Sequence, residues 1–176
     1  MPTITLAPCL WFADEAEEAT TLYTGIFPNS RIVRTTRYGP EGNDLHGRPV
    51  GSVMTIDFEL DGHPLTALNG GPLFSFTEAI SLQVICETQD EVDHYWEHLG
   101  RDGDPLARQC GWLKDRFGVS WQVIPREAID LIGAPESESS RRAMRAMLRM
   151  EKLDLAELRR AFAGEDVPTF INKEST

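Results

Sequence analysis

Cysteine is scarce in this chain. Cys9, Cys86 and Cys110 are its only three in 176 residues, and no two of them form a CxxC pair. That excludes a disulfide framework and a cysteine-rich zinc module, and it points to a reducing cytoplasm. Basic residues are also few. Seventeen Lys and Arg face 28 Asp and Glu, for a formal charge of −11. Such a chain repels phosphate backbones and anionic lipid, so neither nucleic acid nor a membrane surface is an expected partner. No apolar run approaches the roughly 20 residues of a membrane span. The opening MPTITLAPCLWF has no basic stretch before its apolar residues, so no signal peptide is expected. What remains is an ordinary globular composition, 41% hydrophobic and 26% charged. It is long enough for one domain with an appendage.

Along the chain, positions 3–12 alternate and read as a strand. Asp14 with Glu17 has capping-box spacing. Ala19, Leu22, Tyr23 and Ile26 then form an apolar helical stripe, closed by Pro28-Asn29. Strands are predicted over 31–38, 50–60 and 64–69. Met54, Ile56, Phe58 and Leu60 share one face of the second, and an Asp61-Gly62 hairpin precedes the third. A Gly- and Pro-rich loop covers 39–49, and Asn69-Gly70-Gly71-Pro72 breaks the chain. The order then repeats, offset by roughly 73 residues. It runs through a strand at 79–86, a Thr88–Glu91 capping box and a stripe of Val92, Tyr95, Trp96 and Leu99. A loop at 100–105 and strands at 108–114 and 119–124 follow, the last two joined at Phe117-Gly118.

The expected fold is therefore α+β: two βαβββ modules, about 1–72 and 73–134, sharing one core. A C-terminal helical appendage follows over 135–164. Its first helix is capped by Ser137 and runs to about Met150, and its second begins at an Asp154–Glu157 box. Residues 165–176 are expected to fray.

The strings APCLWFADEAEEA, FPNSRI, ALNGGP, QCGWLKDRFGVSWQ and RAMLRMEKLDLAELRRAF, in that order, resemble the PhnB-like branch of the vicinal oxygen chelate superfamily. That superfamily holds glyoxalase I, bleomycin-resistance proteins and extradiol dioxygenases. The branch is often labelled 3-demethylubiquinone-9 3-methyltransferase. The resemblance implies the doubled βαβββ fold, a homodimer and a cavity beneath four inward strand positions where metal-using members carry His, Gln or Glu. By strand context these positions hold Ala7, Thr66, Ser81 and Gln122. Ala7 has no donor and hydroxyls are poor transition-metal ligands, so no metal and no cofactor are expected.

Residues in phase with these four line the expected ligand pocket: Cys9, Trp11, Thr66, Leu68, Ser81, Gln83, Ser120 and Gln122, with Ile85 alongside. Trp112 and Lys114 stand at the expected cavity mouth. An aromatic ring, aliphatic groups, a thiol and neutral polar groups suit a small, partly apolar organic molecule; a packed sheet interior is the plainer alternative. Three functions compete: a metal-free pocket protein whose reaction and catalytic residues are unassigned, a resistance-type protein that sequesters its ligand, and the methyltransferase of the label. The last ranks lowest, because no strand–GxGxG–helix unit for S-adenosylmethionine occurs.

Other groupings carry weaker signals. His94, Glu97 and His98 spell H-x-x-E-H, but the helix buries a different stripe, and a solvated face is the expectation. Asn69-Gly70-Gly71 has the composition of an anion nest or of a simple turn. Asp57 and Glu59 share a strand face, either as acid–base partners or as a solvated edge. Arg141, Arg142, Arg145 and Arg149 are expected to pair with acidic groups of this chain or of a partner subunit. Met144, Met147 and Met150 are suited to the same docking.

Overall fold

The computed structural model describes residues 6–165. The chain divides into two units, residues 1–77 and 78–176. The first contains β1 (Cys9–Phe12), α1 (Ala16–Ile26), β2 (Arg31–Arg37), the single turn α2 (Asn43–His46), β3 (Val53–Leu60) and β4 (His63–Asn69). The second contains β5 (Leu82–Cys86), α3 (Gln89–Gly100), β6 (Asp104–Gln109), β7 (Trp112–Lys114) and β8 (Ser120–Pro125). It continues with α4 (Arg126–Ile132), α5 (Glu138–Met147) and α6 (Leu155–Ala163).

Each unit has a four-stranded mixed sheet, ordered β1-β4-β3-β2 and β5-β8-β7-β6. The first strand of each pairs in parallel with the last, and the other pairs are antiparallel. The βαβββ order expected from the repeat is thus present twice, in an α+β fold with C-terminal helices. In the first unit α1 buries Ala16, Ala19, Tyr23 and Ile26. The Tyr23 ring stacks on Phe58 with centroids 6.5 Å apart. In the second, α3 buries Val92 and Leu99, and the sheet contributes Val84, Leu113, Trp121 and Val123 to the core. Period-2 alternation then leaves the other face of each sheet for different work.

Several sequence expectations require correction. Asp14 does not cap α1. Glu15 occupies the N-cap without a side-chain bond, and the amide of Ala16 donates to Asn69 Oδ1 at 2.9 Å. Met54 is only half-buried and Val53 is buried in its place, because a register irregularity between Thr36 and Arg37 opposite β3 changes the strand's phase. The single strand expected at 108–114 is two strands. Cys110 at φ 51° and Gly111 at φ 84° turn the chain between them. A Cβ at Gly111 would stand 2.8 Å from the Val123 carbonyl oxygen, so this turn needs glycine. The strand expected from position 79 begins at Leu82, and the 39–49 loop includes α2. Tyr95 and Trp96 of the α3 stripe are half-buried.

The capping boxes at Thr88–Glu91 and Asp154–Glu157 behave differently. The first is reciprocal, and in the second Asp154 accepts from the Glu157 amide at 2.9 Å. Ser137 caps α5 as expected. The appendage docks within its own unit. Met150, Leu153 and Leu158 pack with Ala128 of α4, and Met147 lies against them. Gln89 of α3 donates to the Leu153 carbonyl and accepts from the Leu155 amide, at 3.1 and 2.9 Å. Arg142 donates to the Ala161 and Phe162 carbonyls at the end of α6, at 3.0 and 2.6 Å. Arg141 and Arg145 both pair with Glu138. The fraying expected over 165–176 falls almost wholly outside the described residues.

Candidate functional site

The helix-free face of the first sheet is built from cross-strand rows. Cys9 lies opposite Thr66, Thr66 opposite Asp57, and Asp57 opposite Arg34, one row across all four strands. The next row runs Trp11, Leu68, Thr55, Thr36. The first row is polar and tied together. Thr66 donates its hydroxyl to Asp57 Oδ1 at 2.9 Å, and Arg34 donates twice to Asp57 Oδ2, at 3.0 and 2.7 Å. Arg34, with help from Thr66, holds the Asp57 carboxyl below the usual carboxylate range against its partial burial. Glu59 is engaged in the same way by Arg31, at 2.9 Å. The two carboxylates that share this face are therefore salt-bridged, not free to exchange protons. Partial burial of the sulfur, and then the Asp57 charge, push the Cys9 thiol up. Cys9 is thus a protonated, weakly nucleophilic thiol at neutral pH.

Trp11 is held more firmly. Its indole N–H donates to the Gly71 carbonyl at 2.8 Å, and its ring meets Phe74 edge-on with centroids 5.0 Å apart. A Cβ on Gly70 would come within 2.2 Å of the indole. The Asn69-Gly70-Gly71 segment is therefore a latch. The Asn69 side chain caps α1 and donates to the Val53 carbonyl at 3.2 Å, while the Tyr38 hydroxyl donates to the Asn69 carbonyl at 2.7 Å.

In the second unit, Gln83, Gln122 and Trp112 form a row in register. Gln83 Nε2 donates to Gln122 Oε1 at 3.2 Å, and Gln122 Nε2 donates to Ser81 Oγ at 2.7 Å. Ile85 and Ile124 pair beside them. Lys114 lies opposite Ser120 and forms an ion pair with Glu78. Ser81, just before β5, belongs with Gln122 through that hydrogen bond. Cys9, Trp11, Thr66 and Leu68 thus share one face of the first sheet. Gln83, Gln122, Ser120, Trp112 and Lys114 share one face of the second.

The donor set does not fit a transition-metal ion. Ala7 has no donor, Thr66 spends its hydroxyl proton on Asp57, and both ends of the Gln122 amide are used. Among the described residues no three His, Cys, Asp or Glu side chains converge. The His94 and His98 rings lie tilted against each other on α3 with centroids 4.3 Å apart, and Glu97 pairs with Arg101. His46 packs on Tyr38 at 4.6 Å, and His63 Nδ1 lies 3.1 Å from the Asp61 carbonyl oxygen. Two cavities elsewhere in the second unit do not include the face residues. One of about 250 Å³ is lined by Arg142, Arg145 and Arg149, and one of about 590 Å³ by Trp96, Arg108 and Lys152. Arg34 is the contributor that sequence reasoning missed. Its signal was a strand carrying Arg at 31, 34 and 37, which reads as an exposed edge until register places Arg34 beside Asp57.

With this geometry, residues 4–124 match the 3-demethylubiquinone-9 3-methyltransferase family. The chain belongs to that family. Its two sheets have the fold of the vicinal oxygen chelate superfamily, of which the PhnB-like family is a branch. The PhnB protein from Bacillus cereus shares 34% identity over 69% of this chain and 99% of its own, with a TM-score of 0.60. Protein PA1353 from Pseudomonas aeruginosa shares the fold at 18% identity and a TM-score of 0.55, over 70% of this chain and 98% of its own. No curated protein matches the sequence. The family match ends at Ile124, so α4–α6 lie beyond it. Among the described residues no helix is long and apolar enough to cross a membrane.

Proposed function

We propose that this PhnB-like protein binds small, partly apolar organic molecules on the helix-free face of each sheet, without a resident transition metal. The observation that carries the reading is the fixed indole of Trp11. It is half-buried, locked by Gly71 and wedged against Gly70. Holding an aromatic plate in one orientation beside Cys9, Thr66 and Leu68 favours a flat ligand, because little freedom is lost when the ligand docks. In the second unit the Ser81–Gln122–Gln83 chain offers neutral polar groups in fixed positions.

A second reading, sequestration of the ligand without turnover, is supported by the state of the reactive side chains. Asp57 is salt-bridged and the Cys9 thiol is raised, so neither is a ready base or nucleophile. The family description names methyl transfer to a demethylated ubiquinone. A quinone ring suits the indole, but S-adenosylmethionine is usually held by a parallel α/β sheet with a Gly-rich turn. Each sheet here contains a single parallel pair.

Thermal melts in the presence of quinones and simple aromatic compounds test the proposal. Binding raises the melting temperature by mass action, and Trp11→Ala is expected to abolish the rise. No rise with any such compound rejects the proposal, and turnover of a stabilising compound rejects sequestration. Calorimetric titration with S-adenosylmethionine addresses the methyltransferase reading separately.

A homodimer and a cytoplasmic location belong to the same proposal. Exposed Ile129 of α4 and Leu148 at the end of α5 supply apolar surface for pairing, and the three free cysteines suit a reducing compartment. Sedimentation equilibrium showing only a monomer at micromolar concentration rejects the dimer.

A further inference from the structure

The ligand's charge is addressed by one corner of the second sheet. Trp112 lies opposite Gln122, and Lys114 opposite Ser120. Residues two apart on a strand point the same way, so these four side chains form a square on the helix-free face. Leu113 and Trp121 point the other way, into the core. The square combines an indole, a cation, an amide and a hydroxyl.

Two of these groups are incompletely used. Ser120 is 2% exposed, and its buried hydroxyl has no hydrogen-bond partner among the described residues. A buried donor left unmade is costly, and the cost is recovered when an acceptor arrives. The Lys114 side chain is 20% exposed. Its partner is Glu78, whose side chain is 59% exposed and which lies in the irregular segment before β5. Such an exposed carboxylate on an irregular segment is weakly held and easily displaced. Lys114 in turn draws the Glu78 carboxyl below its ordinary range through their ion pair. Asp104, opposite Lys114 on the edge strand, is exposed, and its Oδ1 accepts from the Leu106 amide at 2.9 Å. The Gln122 amide is committed to Gln83 and Ser81 and leaves the corner to Lys114 and Ser120.

We infer that the molecule bound on this face of the second sheet is an aromatic carboxylate, whose anionic group displaces Glu78 from Lys114 and accepts the Ser120 hydroxyl while its ring lies on Trp112. This rests on the small-molecule reading above and adds the ligand's charge. Charge-assisted hydrogen bonds are the strong ones, and a ring placed on an indole adds apolar contact.

The test uses two probes of nearly equal shape, 4-hydroxybenzoate and 4-hydroxybenzamide, titrated into the full chain and followed by tryptophan fluorescence and calorimetry. The carboxylate is expected to bind about tenfold tighter than the amide. Lys114→Met is expected to remove that preference. Glu78→Gln is expected to tighten the carboxylate about threefold by removing the competitor. Equal binding of both probes to the natural chain overturns the inference, as does a preference that survives Lys114→Met. If Lys114→Met does not fold, an unchanged carboxylate affinity in Glu78→Gln overturns it instead. Stabilisation by a neutral quinone with no response to either benzoic probe rejects the charge assignment and leaves the proposed function standing. No response to any aromatic compound rejects both.

Discussion

The indole N–H of Trp11 donates to the Gly71 carbonyl at 2.8 Å, joining the first strand to a turn 60 residues further on. The same turn passes so close beneath the ring that Gly70 has no room for a side chain. Gly70→Ala is therefore expected to cost about 2 kcal/mol through overpacking and to shift tryptophan emission as the ring is displaced. Trp11→Phe removes the hydrogen bond and trims the ring, and is expected to cost about 1 kcal/mol or somewhat more. Urea denaturation orders the two, and a Gly70→Ala variant as stable as the parent rejects the latch.

Asn69 is 4% exposed and serves α1 and β3 through one amide. Replacing it with Ala leaves the Ala16 amide and the Val53 carbonyl without that partner. The expected loss is about 2 kcal/mol. Asn69→Asp keeps the acceptor at the helix N-terminus and is expected to lose less. Equal melting temperatures for the two variants would show that the cap does not matter.

Asp57 predicts a pH dependence. Arg34 and Thr66 lower its folded-state pKa, so the unfolded chain holds the proton more tightly. The stabilisation is therefore complete above the unfolded carboxylate pKa of about 4, and it is lost as pH falls through the lower folded value. The melting temperature of Asp57→Asn should lie below that of the parent near neutral pH, and the gap should close towards about pH 2. A gap independent of pH would assign the effect to packing and not to charge.

Metal addition is expected to do nothing. Zinc, nickel, iron or manganese should leave the melting temperature unchanged, as should EDTA, because Ala7, Thr66, Ser81 and Gln122 offer no charged donor. A rise with one of these ions that disappears in Gln122→Ala would restore a metal site.

The sequence by itself determined whatever depends on neighbours a few residues apart. The Thr88–Glu91 box, the Ser137 cap, the αL glycine of the Phe117-Gly118 turn and the alternation that puts Thr66 and Leu68 on one face are all local. The repeat of that local order was enough to read two βαβββ modules. Tertiary structure decided what depends on register and on closing long loops. Asp14 had the composition of a cap, yet the acceptor for α1 comes from Asn69, 53 residues away. Arg34 reads as an edge charge until pairing sets it opposite Asp57, and the irregularity between Thr36 and Arg37 exchanges Met54 for Val53 in the core. A spacing pattern records which face a side chain points to, but not which strand lies next to it. That choice is made by the packing of the whole sheet, and it left the Ser120 hydroxyl buried without a partner among the described residues.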